Sequence, residues 1–287
     1  MEIVPRYDGP PIVTVAEDGA GSNDDLGAAC VRQRRRLLAT FAALGDDDWS
    51  APSRCEGWSV QDIAAHLDGV NRFWQFSIDQ GLAGTPSRAL TGFDPKATPA
   101  AMVEAARSAT PAETLAGLVE SSEALCEQIA ALDGDQWSAI AEAPAGHLPI
   151  RLLVHHGLWD CWVHERDVAL PLGLVPTVEP DEVMLSLRFV AALGPAFALQ
   201  SGTATPAALV LETTDPGGRV VVEVTDHIAV HDGPVASPEV DATLVLRGAA
   251  VDFVEVLSMR VPLADTHDVP ADQRWLVDTL GRVFETT

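Results

Sequence analysis

Between His147 and Gly173 the chain reads HLPIRLLVHHGLWDCWVHERDVALPLG, with histidines and acids at helical spacing among apolar residues. At about 100° per residue, Asp160 and His164 sit one turn apart and about 40° apart around a helix axis. His156 lies one turn before Asp160 and Asp167 two turns after it, so all four share one stripe about 80° wide. Leu153 lies on the same stripe and Val163 at its edge, which marks it as inward-facing. A buried carboxylate and imidazole cost several kcal/mol unless they are paired or bind a metal. An Asp and a His at i, i+4 can fill two positions of one coordination sphere, with the rest of the shell coming from elsewhere in the chain.

The elements that would position such a pair follow from periodicity and breakers. Pro149 suits the first turn of the helix, and Pro171 with Gly173 ends it. Upstream, Asp25 to Leu44 carries Leu37, Leu38, Phe41 and Leu44 on one face, with Arg32 and Arg34 to Arg36 expected on a solvated one. Ser59 and Asp62 form a capping-box pattern that opens a helix to about Gln80, with Ile63, His66, Val70 and Phe73 inward. Residues 81–98 read as a long connection. Thr110-Pro-Ala-Glu113 opens a third helix to Leu132. The tracts Leu44-Gly-Asp-Asp-Asp-Trp49-Ser-Ala and Leu132-Asp-Gly-Asp-Gln-Trp137-Ser-Ala resemble each other, and each closes one long helix before the next. Two similar helix hairpins packed as a four-helix bundle are expected.

After Gly173 the texture changes. A linker with Pro176 and Pro180 precedes a helix over 181–199. Strands are expected at 207–212 and 219–224, around the hairpin signal Asp215-Pro-Gly-Gly218, and again at 227–230 and 241–246. Helices follow at 248–259 and 271–284. The organisation read from this is a flexible arm over 1–23, a helical bundle over 24–175 and a small α+β domain over 176–287.

Composition narrows the partners. Against 42 Asp and Glu stand 18 Lys and Arg, a net charge of −24 over 287 residues. A phosphate backbone or an anionic membrane needs a basic surface, so neither nucleic acid nor membrane is expected as a partner. No apolar run reaches about 18 residues without a charge, and the first residues show no signal-peptide pattern. Cys30, Cys55, Cys126 and Cys161 have no metal or redox spacing and read as reduced thiols of a cytoplasmic protein.

The tracts Trp49, Gly57-Trp58-Ser-Val-Gln-Asp62-Ile-Ala-Ala-His66-Leu67 and Asp160-Cys-Trp-Val-His164-Glu-Arg-Asp167 resemble the mycothiol-dependent maleylpyruvate isomerase family over about 24–173. The resemblance implies a DinB-like four-helix bundle in which His66, Asp160 and His164 bind a divalent metal, most simply Zn2+. The family more often has Glu where Asp160 stands, one methylene longer. The C-terminal half is similar to the family's sterol-carrier-like domain, carried by Asp241-Ala-Thr-Leu-Val-Leu-Arg-Gly248 and Leu257-Ser-Met-Arg260-Val-Pro262. Family members commonly show Gly where Met259 stands. The fold class expected is therefore α plus α+β.

Three protein ligands leave an open metal position, where a low-molecular-weight thiol would be held as a thiolate. In the family that thiol is mycothiol, and the partner is a small electrophile that undergoes S-transfer or cis–trans isomerisation. Asp167 would accept from a ligand imidazole, against a competing ion pair with Arg166. His156 is a fourth ligand, a substrate contact or core. Arg260 would meet an anionic group of thiol or substrate, against a plain surface role. An ion pair of Asp160 with Arg36 or Arg151 is the structural alternative to ligation. Two further functions stay open at this level: a hydrolase or oxidative enzyme using the same metal, and a non-catalytic small-molecule binder.

Overall fold

The computed structural model describes residues 5–17, 22–240, 242–263 and 267–285. Four long helices form the bundle: α1 (Asn23–Ala42), α2 (Val60–Leu82), α4 (Pro111–Ala130) and α5 (Ile150–Ala169). Their starts are chemically defined. Ser59 and Asp62 cap α2 reciprocally, as do Thr110 and Glu113 for α4, so orphan N–H groups of each first turn find acceptors. The two similar Trp-Ser-Ala tracts both become short 3-10 turns, at Asp48–Ser50 and Gly134–Ser138, and bury Trp49 and Trp137.

Helix α5 is the hub. It packs against α1, α2 and α6 (Pro180–Gln200) and is buried nearly all round, including Arg151, His155, His164, Glu165 and Asp167. A helix without a solvent face belongs inside the molecule. Helix α6 is long and apolar enough to cross a membrane, yet it lies inside the fold against α5 and α1 on one side and the sheet on the other.

The sheet has five strands in the order β1-β6-β5-β4-β7. They are β1 (Val13–Val15), β4 (Ala207–Thr214), β5 (Gly217–Val224), β6 (Ile228–His231) and β7 (Thr243–Gly248). The β4–β5 hairpin turns at Asp215-Pro216, and β1 and β7 pair in parallel at the two edges. Helices α6, α7 (Ala250–Leu257) and α8 (Trp275–Glu285) pack together, α6 also lying against β5 and β6. The architecture is thus a four-helix bundle joined to an α+β unit.

Several expectations need correction. Ile12 and Val13 of the expected arm are 3% and 7% exposed, and Val13 to Val15 form an edge strand paired with Ile228 to Val230. Apolar alternation of only three residues is too short a signal to identify from sequence. Residues 1–4 and 18–21 of the arm, and Asp241 of the last expected strand, lie outside the described residues.

The stretch before α5 is a hairpin, β2 (Ile140–Ala143) with β3 (Gly146–Pro149), so Pro149 is the residue before the helix rather than in its first turn. Glu142 of that hairpin takes donors from Tyr7, Ser87 and the backbone of Ala89 and Leu90, which fastens the long 83–93 connection. A further helix, α3 (Ala97–Ala106), follows that connection. Finally, the arginine run of α1 is not simply solvated. Arg34 is 1% exposed inside the bundle, and Arg36 bridges Glu165 of α5 and Glu182 of α6.

Candidate metal centre

Helix α2 brings His66 and helix α5 brings Asp160 and His164 to one place. Asp160 Oδ2 lies 3.7 Å from His66 Nε2, and Asp160 Oδ1 lies 3.5 Å from His164 Nε2. The two imidazoles meet edge to face with centroids 5.0 Å apart. One donor atom from each residue lies within 4.8 Å of the others. Ligands about 2.0–2.2 Å from a shared tetrahedral ion stand about 3.3–3.5 Å apart, so this spacing matches a coordination shell more closely than direct hydrogen bonds. His66 Nδ1 and Asp160 Oδ2 are buried without a hydrogen-bond partner. Of the two, Asp160 Oδ2 faces His66 Nε2, and an unpartnered buried carboxylate oxygen there fits a divalent cation.

Neither structural alternative for Asp160 holds. Arg36 is engaged with Glu165 and Glu182, and Arg151 with Asn23 and Glu17. Burial works against the Asp160 carboxylate, but His164 beside it holds the group well below the ordinary carboxylate range. Burial likewise opposes a charged His164, and Asp160, Asp167 and Cys55 together raise its affinity for a proton well above normal. Such a carboxylate-lined pocket favours a cation, and a metal replaces the proton when it binds.

Asp167, fully buried, anchors the outer side of His164, with its Oδ2 3.0 Å from His164 Nδ1. Arg166 is not its partner, since that guanidinium donates to Glu255 at 2.6 Å. Two other arginines hold Asp167 instead. Arg54 donates to Oδ1 at 3.0 Å, and Arg260 donates to Oδ1 at 2.8 Å and Oδ2 at 2.6 Å. Arg260, expected to face an anionic group of a ligand, thus faces a carboxylate of the protein.

His156, the third histidine of the stripe, is not among the residues whose donor atoms converge. Its half-buried ring lies 4.9 Å from Trp74, 5.5 Å from Trp159 and 4.9 Å from Phe189. Burial pushes its pKa down to about 4, so the imidazole is neutral at pH 7. His155, on another face, has Nδ1 3.2 Å from the Leu185 carbonyl and is structural.

Three contributors were not legible beforehand. Cys55 Sγ lies 3.3 Å from Asp167 Oδ2, 3.9 Å from His164 Nδ1 and 3.4 Å from Arg260 Nη2. Arg54 and Glu255 complete a network in which Arg54 donates to both Glu255 oxygens, at 2.8 and 3.2 Å. The signal for Cys55 was its place in the loop just before Gly57-Trp58; Arg54 and Glu255 left none. Gly57, at φ +76, turns that loop, and Trp58 packs against His66 with centroids 5.3 Å apart.

Comparison with known proteins bears on this arrangement. Residues 30–169 match the model of the mycothiol maleylpyruvate isomerase N-terminal domain. No curated protein matches the sequence. Among solved structures, the mycothiol-dependent maleylpyruvate isomerase superposes with a TM-score of 0.60 at 15% identity, over 86% of this chain and 95% of that one. A single-site mutant of that isomerase gives the same TM-score of 0.60 and the same coverage at 14% identity. At that identity the superpositions speak to the shared fold. Residues 30–169, which hold all three ligand candidates, are thus similar to the mycothiol maleylpyruvate isomerase N-terminal domain.

Proposed function

We propose that this protein is a divalent-metal-dependent enzyme of the cytoplasm that uses mycothiol to attack a small electrophile, giving cis–trans isomerisation or S-transfer. The observation that carries the reading is the placement of one Asp160 carboxylate 3.5 and 3.7 Å from the Nε2 atoms of His164 and His66. The match of 30–169 to the mycothiol maleylpyruvate isomerase N-terminal domain and the name of the superposed isomerase support the choice of thiol. Two imidazoles and one carboxylate suit Zn2+ and leave a position for an exogenous ligand. A cation bound there supplies Lewis acidity that keeps an incoming thiol deprotonated at neutral pH.

The chain's own residues do the rest. Asp167 accepts from His164 Nδ1–H, which fixes the tautomer that presents the Nε2 lone pair to the cluster. Arg54 from within 24–175 and Arg260 from 176–287 together hold Asp167 in place beside the ligands. Trp58 packs at a tilt against the His66 ring and helps hold its orientation. Asp160 reaches both histidines despite its short side chain, so the usual Glu is not required for the shell to close.

The test follows conjugated cis-alkenes by absorbance with and without mycothiol and with and without a chelator. Turnover is expected only when thiol and metal are both present. Turnover that persists without thiol would instead point to metal-bound water.

A further inference from the structure

Arg34 of α1 is 1% exposed, and its guanidinium reaches both helices that carry the ligand candidates. Nη2 donates to Asn71 Oδ1 of α2 at 3.4 Å and to the Gly157 carbonyl of α5 at 3.3 Å. Nη1 donates to Cys30 Sγ, one turn earlier on its own helix, which fixes the fork on α1. Asn71, also 1% exposed, carries the link onward, its Nδ2 donating to Ser122 Oγ of α4 at 3.0 Å. All four bundle helices therefore meet in one buried polar node.

The node lies next to the ligands along the bundle. Asn71 follows His66 by five residues, about 7.5 Å along α2, and Gly157 precedes Asp160 by three, about 4.5 Å along α5. His66 faces Asp160, and Trp74 further along α2 faces His156, so the two helices run antiparallel and both displacements point the same way. Ile78, Leu125, Ile129, Leu153 and Val154 make the rest of this level apolar. Apolar contacts carry no direction and tolerate sliding, whereas a buried charge is strongly penalised when its acceptors move away. The fork also needs the glycine it meets. A Cβ on Gly157 would stand 2.9 Å from Arg34 Nη2, so a side chain there pushes the guanidinium off the α5 backbone.

We propose that Arg34 is a positioning residue for the metal centre. Through Asn71 and Gly157 it sets the spacing of α2 against α5, and with it the span from His66 to Asp160 and His164. This rests on the metal-dependent reading above and names the residue that holds its two ligand helices in register. A shell drawn from two helices binds tightly only when its side chains stand within about 0.5 Å of the productive geometry.

The test uses full-length, chelator-stripped protein and Co2+ alone, whose visible bands report affinity and coordination geometry together. The parent should bind one Co2+ with the intense bands of a four-coordinate site. Arg34→Met, of similar length but apolar, should shift those bands and weaken binding by about 10–100-fold, as when a group that orients ligands is lost. Leu125→Ala, at the same level on α4, opens the core without touching the node. It should keep the bands and an affinity within about twofold of the parent. Gly157→Ala keeps the arginine but displaces its fork, so it should reproduce the Arg34→Met bands, and it decides the matter where Arg34→Met does not fold. Parent-like affinity and bands in folded Arg34→Met or in Gly157→Ala, or an equal loss in Leu125→Ala, would overturn the proposal. A parent that binds no Co2+ would instead overturn the metal reading, and this proposal with it.

Discussion

One carboxylate oxygen, Asp167 Oδ2, lies 3.0 Å from His164 Nδ1 and 2.6 Å from Arg260 Nη2. Asp167 is on α5 and Arg260 follows α7, so this single group ties the orientation of a ligand imidazole to the docking of the C-terminal unit. Burial opposes its charge, yet His164 and Arg260 hold its pKa far below the carboxylate range. Replacing it by Asn keeps the shape and removes the charge. Asp167→Asn is expected to weaken zinc binding by about 10–100-fold, the usual effect of losing an outer partner of a ligand histidine. Competition with a chromogenic chelator measures it, and affinity within about twofold of the parent would remove Asp167 from that role.

Glu255 is the second joint. It accepts from Arg54 and Arg166 and is 6% exposed. Glu255→Ala leaves two guanidinium groups without their shared acceptor. A loss of about 3 kcal/mol in urea unfolding is expected, in line with other broken buried ion pairs. A change under about 0.5 kcal/mol would place the network at the level of a surface pair.

Met259, next to Arg260 in the chain, has φ 60, in the left-handed region, and is 38% exposed. A side chain held in this region costs about 1–2 kcal/mol, a cost that Gly avoids. Met259→Gly relieves that strain and should stabilise the protein by up to about 1 kcal/mol, the lost burial of the Met side chain offsetting part of the gain. Met259→Val, β-branched, should move the unfolding midpoint the other way. Both follow from denaturant titration.

His155 gives a pH dependence. Its burial, then the nearby Arg151 charge, push its pKa down to about 3 in the folded state. The unfolded imidazole has a pKa of about 6.5, so the unfolded chain takes up the proton first as pH falls. The stability tied to a neutral His155 is complete above about pH 6.5 and is lost progressively toward about pH 3. Between pH 7 and 5 the parent should lose about 2 kcal/mol more than His155→Leu. Parallel stability curves for the two proteins would contradict this.

What the sequence revealed of all this, and what it hid, divides along a physical line. Capping at Ser59 and Thr110, the period of α5 and the Asp-Pro-Gly-Gly turn are local, and each element stands within a few residues of its expected place. His66, Asp160 and His164 were accessible because two short motifs carry them. The docking of Val13–Val15 beside β6, the burial of Arg34 and the partnership of Asp167 with Arg54 and Arg260 all join residues far apart in the chain. Periodicity carries no information about such pairs. Arg260 stands in the tract that carries the C-terminal resemblance, but only its distance to Asp167 shows which anion it meets.

The most direct test of the central claim is calorimetric titration of Zn2+ into chelator-stripped protein, with circular dichroism to verify folding. One ion per chain is expected for the parent, and none at comparable affinity for His66→Ala or His164→Ala proteins that keep their helical signal. Undiminished binding of one ion in both folded variants, or none in the parent, would contradict a metal centre built on His66, Asp160 and His164.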